Sequence, residues 1–100
     1  MAKYNGFVYI MANSRPTLYT GVTNNIVQRV YIHRNKLVQG FTTKYNLIKL
    51  VYYEYFEHIE KAIVREKQLK DMNRNDKLKL IYNFNPSFSD LWNEIVEKYK

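Results

Sequence analysis

Arg29 and His33 stand four residues apart, the spacing that stacks two side chains one turn over the other on a helix. The pair suits work on a phosphate. A guanidinium forks onto two phosphate oxygens, and an imidazole, which titrates near neutrality, can move a proton. Further along, Glu66 falls inside a helical pattern. At about 100° per residue it lies almost two turns from Ile59 and between Ala62 and Ile63 in angle, which sets a lone carboxylate in the middle of an apolar stripe. A carboxylate withdrawn from water has to be paired, protonated or bound to a cation. Three readings are open: a salt bridge to Arg29, Lys44 or Lys70, a helix edge less buried than the wheel implies, or a hard-cation site. One carboxylate with waters and a substrate phosphate oxygen suits Mg²⁺. Each candidate also has a plain structural reading, a solvated arginine or a core histidine, so none decides the matter alone.

These side chains need elements to hold them. Phe7–Met11 and Thr17–Val22 are β-branched and aromatic runs that predict two strands, joined by turn chemistry at Asn13-Ser14-Arg15-Pro16. Alternation puts Phe7, Tyr9 and Met11 on one face of the first strand and Thr17, Tyr19 and Gly21 on one face of the second, so Tyr9 and Tyr19 can point the same way. Tyrosines are common in strands, and this chain has ten. Asn24 or Asn25 can cap a helix from Ile26 in which Ile26, Val30, His33 and Leu37 share a face. Gly40 and Thr42-Thr43 predict a loop, and Ile48–Phe56 a third strand. From Glu57 to Met72 the pattern is helical, with Ile59, Ala62, Ile63 and Leu69 as its apolar stripe. Asn73 and Asp76 begin a short helix that Asn85-Pro86 ends, and Phe88, Leu91, Trp92, Ile95 and Tyr99 predict a closing amphipathic helix.

Composition narrows the partners. The formal charge of +7 comes from 16 Lys or Arg against 9 Asp or Glu, and all nine acids follow residue 50. The first half therefore carries the whole positive surplus, and a polyanion is its natural partner. Acidic proteins would answer to the same field, while sixteen aromatics add the capacity to stack on bases. Cysteine is absent, which excludes disulfides, thiolate catalysis and cysteine-ligated zinc, and fits a reducing compartment. Two histidines without a third ligand at metal spacing do not make a zinc centre, and no glycine pattern makes a phosphate loop or a dinucleotide fingerprint. With no signal-peptide pattern and no apolar run of membrane-spanning length, a cytoplasmic protein without membrane contact is expected.

The order of the candidates resembles the GIY-YIG nuclease family. Its two tyrosine-bearing strands correspond to Phe7-Val8-Tyr9 and Tyr19-Thr20-Gly21, its arginine to Arg29 ten residues after the second tyrosine, and its His or Tyr one turn later to His33. Its metal-binding glutamate corresponds to Glu66 in Arg65-Glu66-Lys67-Gln68-Leu69. The segments Leu80-Ile81-Tyr82-Asn83-Phe84-Asn85-Pro86 and Asp90-Leu91-Trp92 are similar to the ending of the short, stand-alone bacterial branch of URI type. Phe7 stands where the first signature has glycine, and Thr20 where the second has isoleucine.

The resemblance implies an α+β domain over residues 1–100, with a core at about 5–86, a C-terminal helix at about 87–99 and a three-stranded antiparallel sheet flanked by helices. It implies a metal-dependent endonuclease acting on nucleic acid, DNA first, with Mg²⁺ or Mn²⁺ on Glu66 and no small-molecule cofactor. Tyr19, helped by Tyr9 or His33, would position or deprotonate the attacking water, Arg29 would stabilise charge on the phosphate oxygens, and Asn85 or Asn83 would assist. The cationic first half is expected to lower a tyrosine's pKa from its usual value of about 10. Arg34, Lys36 and Lys44 are the candidate nucleic-acid contacts. So short a chain implies low sequence specificity, or a protein partner that supplies it. Two other readings stay open: a basic nucleic-acid-binding module that cleaves nothing, and a protein-interaction domain that keeps the outline of the site.

Overall fold

Strand β1 spans Gly6–Ala12, and every one of its residues is buried. A strand with no solvent-facing side needs neighbours on both edges and cover on both faces. Strands β2 (Leu18–Thr23) and β3 (Lys49–Phe56) supply the edges, pairing antiparallel in the order β2-β1-β3. Among the described residues five helices supply the cover: α1 (Ile26–Arg34), α2 (Phe41–Lys44), α3 (Ile59–Asp71), α4 (Arg74–Phe84) and α5 (Trp92–Tyr99). This computed structural model, which describes residues 4–99, has the helix-flanked antiparallel sheet that the sequence predicts.

Alternation along β1 divides the core in two. Phe7, Tyr9 and Met11 pack with Ile26, Val30, Leu47, Leu50, Tyr53 and Ile95, while Val8, Ile10 and Ala12 pack with Val51, Tyr52, Leu69 and Ile81. Strand β3 breaks strict alternation, since adjacent Val51 and Tyr52 serve the same cluster. The cause is a bulge. Ile10 faces Tyr52 but Met11 faces Leu50, so Val51 has no partner of its own on β1. Its carbonyl accepts from Asn85 Nδ2 at 3.1 Å, which gives the buried Asn85 a structural task. The outer edge of Leu50 is also occupied, its carbonyl by the N–H of Leu91 at 2.8 Å and its N–H by Asp90 Oδ1 at 3.3 Å.

Local signals fix the connections. Asn13 Oδ1 accepts from the N–H groups of Arg15 and Thr17 and so closes the β1–β2 turn, while its Nδ2 donates 2.8 Å to the carbonyl of Tyr45. Asn25 caps α1 by accepting from Gln28 N–H, and Asn73 caps α4 by accepting from Asp76 N–H. Helix α1 ends sooner than the apolar pattern implies. Lys36 takes a left-handed φ of 54°, and the N–H groups of Lys36 and Leu37 turn back to the carbonyls of His33 and Ile32, a Schellman ending. Leu37 therefore leaves the expected face and is exposed. Ile63 is exposed too, because α3 packs through Ile59, Ala62 and Leu69 with Arg65 and Glu66 half-buried between them. The segment expected as a loop contains the single turn α2. It begins at Gly40, whose φ of 132° only glycine adopts readily, and is held by Leu47 N–H on the carbonyl of Thr42 at 2.8 Å.

Helix α3 lies so close to β1 that a Cβ on Gly6 would stand 2.8 Å from the Cα of Ile59. Backbone cannot yield as a side chain can, so Gly6→Ala is expected to destabilise the fold by about 1–3 kcal/mol, as overpacking typically does. Urea unfolding of the variant beside the parent checks this, and an unchanged midpoint would contradict the packing described.

Candidate active site

Tyr9 points from the central strand into the core and is fully buried, so its hydroxyl must be bonded inside the protein. The partner is His33 Nε2 at 2.9 Å, and His33 Nδ1 in turn meets Thr42 Oγ1 at 3.1 Å. A chain of three polar groups thus runs from β1 through α1 to α2. Space for the phenol comes from the facing strand. Gly21 is the register partner of Tyr9, and a Cβ there would lie 2.6 Å from both Cζ and the hydroxyl oxygen of Tyr9. Glycine at this position is a consequence of the tyrosine opposite.

Tyr19 stands on the same face, with ring centroids 6.4 Å from Tyr9 and 5.7 Å from His33. Unlike Tyr9 it is only partly buried, and with Arg29, His33, Phe41 and Thr42 it lines an open groove of about 350 Å³. Arg29 and His33 share that wall as their helical spacing predicts. Among the described residues no carboxylate pairs with Arg29, and none lines the groove.

Burial governs the protonation of the inner pair. It pushes the Tyr9 phenol up to about 12, with Tyr19 and Glu66 acting in the same direction and Arg29 opposing. The expectation that cationic surroundings would make this tyrosine more acidic is reversed, because the cost of removing a phenolate from water exceeds the help from Arg29. Burial, with Arg29 adding to it, lowers His33 from the usual 6.5 to about 4. Near pH 7 the site therefore holds a neutral phenol against a neutral imidazole.

Glu66 projects from α3 with 17 % of its side chain exposed; its charge acts in the direction that raises Tyr9, but it does not line the groove. Of the partners the sequence leaves open, the structure selects Lys70, one turn on, at 3.4 Å. That lysine is 53 % exposed, so the pair is a solvent-screened contact of the kind worth only about 0.3–0.5 kcal/mol. The carboxylate stays accessible to a cation. Among the described residues no group of three or more His, Cys, Asp or Glu side chains could hold a metal. A single carboxylate fits Mg²⁺ or Mn²⁺ only in the form where waters and substrate complete the shell.

The remaining sequence candidates lie elsewhere. Asn85 spends its amide on the Val51 bulge and on Ser89, whose carbonyl accepts at 2.8 Å, and it does not line the groove. Arg34 forms an ion pair with Asp90 and lies 5.1 Å from the centroid of Trp92. Lys36 is exposed in the left-handed ending of α1, and Lys44 lines a separate groove beside Tyr45. Sequence reasoning did not single out Thr42, which anchors the imidazole, or Phe41, whose ring lies 6.4 Å from that of Tyr19. Both belong to a segment that reads as a loop, nine residues from His33 in the case of Thr42, and no periodicity connects them.

Comparison with known proteins bears on the family of this chain. A family model described as the GIY-YIG catalytic domain matches residues 5–79. The chain belongs to the GIY-YIG family. Among its relatives, a UPF0213 protein of Clostridium perfringens is 41 % identical over 75 residues, covering 75 % of this chain and 81 % of its own. A UPF0213 protein of Syntrophus aciditrophicus is 40 % identical over 76 residues, covering 75 % and 87 %. The solution NMR structure of a UPF0213 protein from Bacillus halodurans is similar in fold, with a TM-score of 0.50 and 27 % identity over 77 % of this chain and 82 % of that one. These short relatives place the chain in the URI-type branch. Among the described residues no helix is long and apolar enough to cross a membrane.

Two outcomes follow from the inner pair. Because the folded state keeps His33 neutral, its contribution to stability is fully present above pH 6.5 and is lost as pH falls toward 4, where the unfolded chain alone takes up the proton. At 1.36 kcal/mol per pKa unit the ceiling is roughly 3 kcal/mol. Urea unfolding between pH 7 and 4 should show that loss in the parent and much less of it in His33→Gln; parallel pH dependences would refute the depressed pKa. Separately, Gly21→Ala should force the phenol away from His33. The matching observation is a changed Tyr9–His33 contact in the variant by NMR of the imidazole, with a loss of about 1–3 kcal/mol in stability.

Proposed function

We propose that this protein is a metal-dependent endonuclease that hydrolyses phosphodiester bonds in DNA. The observation that carries the reading is the joint geometry of the groove: the guanidinium of Arg29, which no carboxylate among the described residues pairs, the half-open phenol of Tyr19 and the Tyr9–His33 hydrogen bond behind them meet on one wall. Family membership supports the same chemistry, and the acid-free half of the chain, which contributes every residue of that wall, supports a polyanionic substrate.

In this reading Arg29 forks onto the non-bridging oxygens of the phosphate and offsets the charge that gathers there. Tyr19, at the surface of the groove, holds the attacking water in line. As the water oxygen bonds to phosphorus, the bond to the leaving oxygen breaks and that oxygen departs with the bonding pair and takes a proton from solvent, while the attacking water's own proton passes to the Tyr9–His33 pair. The phenol oxygen accepts it while the phenol's own proton moves to Nε2, leaving an imidazolium whose Nε2–H donates to Tyr9 and whose Nδ1–H donates to Thr42. The phenol gives one proton as it accepts another, so it stays neutral throughout and its raised pKa does not oppose the transfer. Glu66 would hold Mg²⁺ or Mn²⁺, which supplies Lewis-acid stabilisation of the phosphate oxygens when bound.

Incubation with Mg²⁺ or Mn²⁺ and single-stranded, duplex and branched DNA tests the reading. Arg29→Ala and Glu66→Ala are each expected to lower cleavage by about a hundredfold or more, the scale on which a charge-stabilising group acts. The acid limb of the pH–rate profile should lie near 4 to 5 rather than near 6.5, following His33. Cleavage indifferent to both substitutions would sink the assignment, and salt-sensitive binding without cleavage would leave a binding module in its place.

A further inference from the structure

On the far side of Phe41 lies a second groove, of about 430 Å³, lined by Asn13, Ser14, Arg15, Lys44, Tyr45 and Asn46. It has two cations and no carboxylate. Arg15 and Lys44 are both exposed, and Lys44 Nζ stands 5.4 Å from the centroid of the Tyr45 ring. None of these residues belongs to the wall of Tyr19, Arg29 and His33. The two grooves nevertheless share a ridge. Phe41 lines the first groove, Tyr45 lines the second, and their rings are 4.7 Å apart.

Phe41 is 46 % exposed and Tyr45 41 %, so both rings present a face to solvent, as several other large side chains of this protein do. The ridge is also held in place. The carbonyl of Tyr45 accepts from Asn13 Nδ2, Thr42 is tied to His33, and Asn13 closes the β1–β2 turn that carries Arg15. Cation, flat rings and cation therefore follow one another across a fixed surface, from Arg29 over Phe41 and Tyr45 to Arg15 and Lys44. A nucleic-acid strand has the complementary alternation, with phosphates a nucleotide or so apart and a flat base between them.

We propose that the groove of Arg15 and Lys44 is a second backbone-phosphate subsite, and that a nucleobase between it and the candidate active groove stacks on the Phe41–Tyr45 ridge. The proposal rests on the nuclease reading and adds to it the path of the strand and the residues that set where it lies. A base can reach the ridge only by presenting a free face, so the nucleotide stacked there has to leave its neighbours in the strand. The ridge thereby selects substrates whose bases are unpaired, or easily unpaired, beside the cleaved bond.

Equilibrium binding of a short fluorescein-labelled DNA oligonucleotide, measured in EDTA over a range of salt concentrations, separates the two parts. The double substitution Arg15→Ala with Lys44→Ala should reduce the slope of log K against log salt by about 0.7 to 1.4, one to two phosphate contacts on a single strand. Lys44→Arg should retain the parental slope. Phe41→Ala and Tyr45→Ala should each weaken binding roughly tenfold with the slope unchanged, as loss of a stacking partner does. Circular dichroism and thermal unfolding identify any variant that has lost its fold. For Phe41, which touches Tyr19, Phe41→Leu provides a folded replacement without a stacking face. An unaltered slope in the folded double variant overturns the phosphate subsite, and unaltered affinity in the folded ring variants overturns the stacking ridge. A parent protein that binds no nucleic acid refutes the nuclease reading as well; one that binds and cleaves, with binding indifferent to these substitutions, refutes the subsite alone.

Discussion

A hydroxyl carried on a strand with no exposed side has to find its hydrogen bond within the protein, and Tyr9 meets that demand in a way that shapes everything around it. Its ring crosses to β2, so Gly21 has no side chain. Its oxygen meets His33, so α1 lies where its second turn can deliver an imidazole, and the imidazole meets Thr42, so a single helical turn after α1 is drawn against the sheet. Stability and the proposed chemistry rest on the same bonds. A buried polar chain is favourable only when every member is satisfied, and each member of this one is supplied by a different element.

The fold was largely legible because its signals are local. Alternation through Phe7–Met11, the turn residues from Asn13, the caps at Asn25 and Asn73 and the stop at Asn85-Pro86 all act within a few residues of where they are read. What escaped the sequence was non-local or a matter of geometry at one residue. The left-handed Lys36 ended α1 without a glycine to announce it, α2 consists of residues with no helical pattern, and the bulge at Val51 has no signature in a run of β-formers. The candidate site was legible in which side chains lie together more than in their protonation. Tyr9, Tyr19, Arg29 and His33 come together as alternation and helical spacing imply, but spacing does not say which tyrosine is buried. That single fact separates their environments and raises Tyr9 instead of lowering it. Glu66 shows the opposite lesson. Its helical phase marked a carboxylate in need of compensation, and the compensation proved to be an exposed lysine, a weak partner.

The uneven distribution of charge becomes intelligible in three dimensions. The first fifty residues, which contain no acid, provide β1, β2, α1 and α2, and these elements form both grooves and the ridge between them. The acids lie on β3, the later helices and the segments between them, where Glu54 holds Arg65 and Glu94 accepts from Tyr53, while Asp90 reaches back to hold Arg34 of α1. Both grooves are thereby lined by cations without a carboxylate, against a scaffold of mixed charge. A field of one sign over the grooves costs some self-repulsion, which the scaffold's own ion pairs do not share.

The strap formed by Asn85, Asp90 and Leu91 has a role that concerns other molecules more than this one. An antiparallel sheet with β3 at its rim presents a row of backbone donors and acceptors, and such a rim invites another extended chain to add a strand. Here the first part of the rim is already engaged: both backbone groups of Leu50 and the carbonyl of Val51 are taken by the protein's own C-terminal segment, at a point where the bulge has also bent the strand. A passing strand would find neither a straight template nor free partners there. The residues that close the fold thus also discourage unwanted association, a useful property in a small protein rich in tyrosine and β-branched strand.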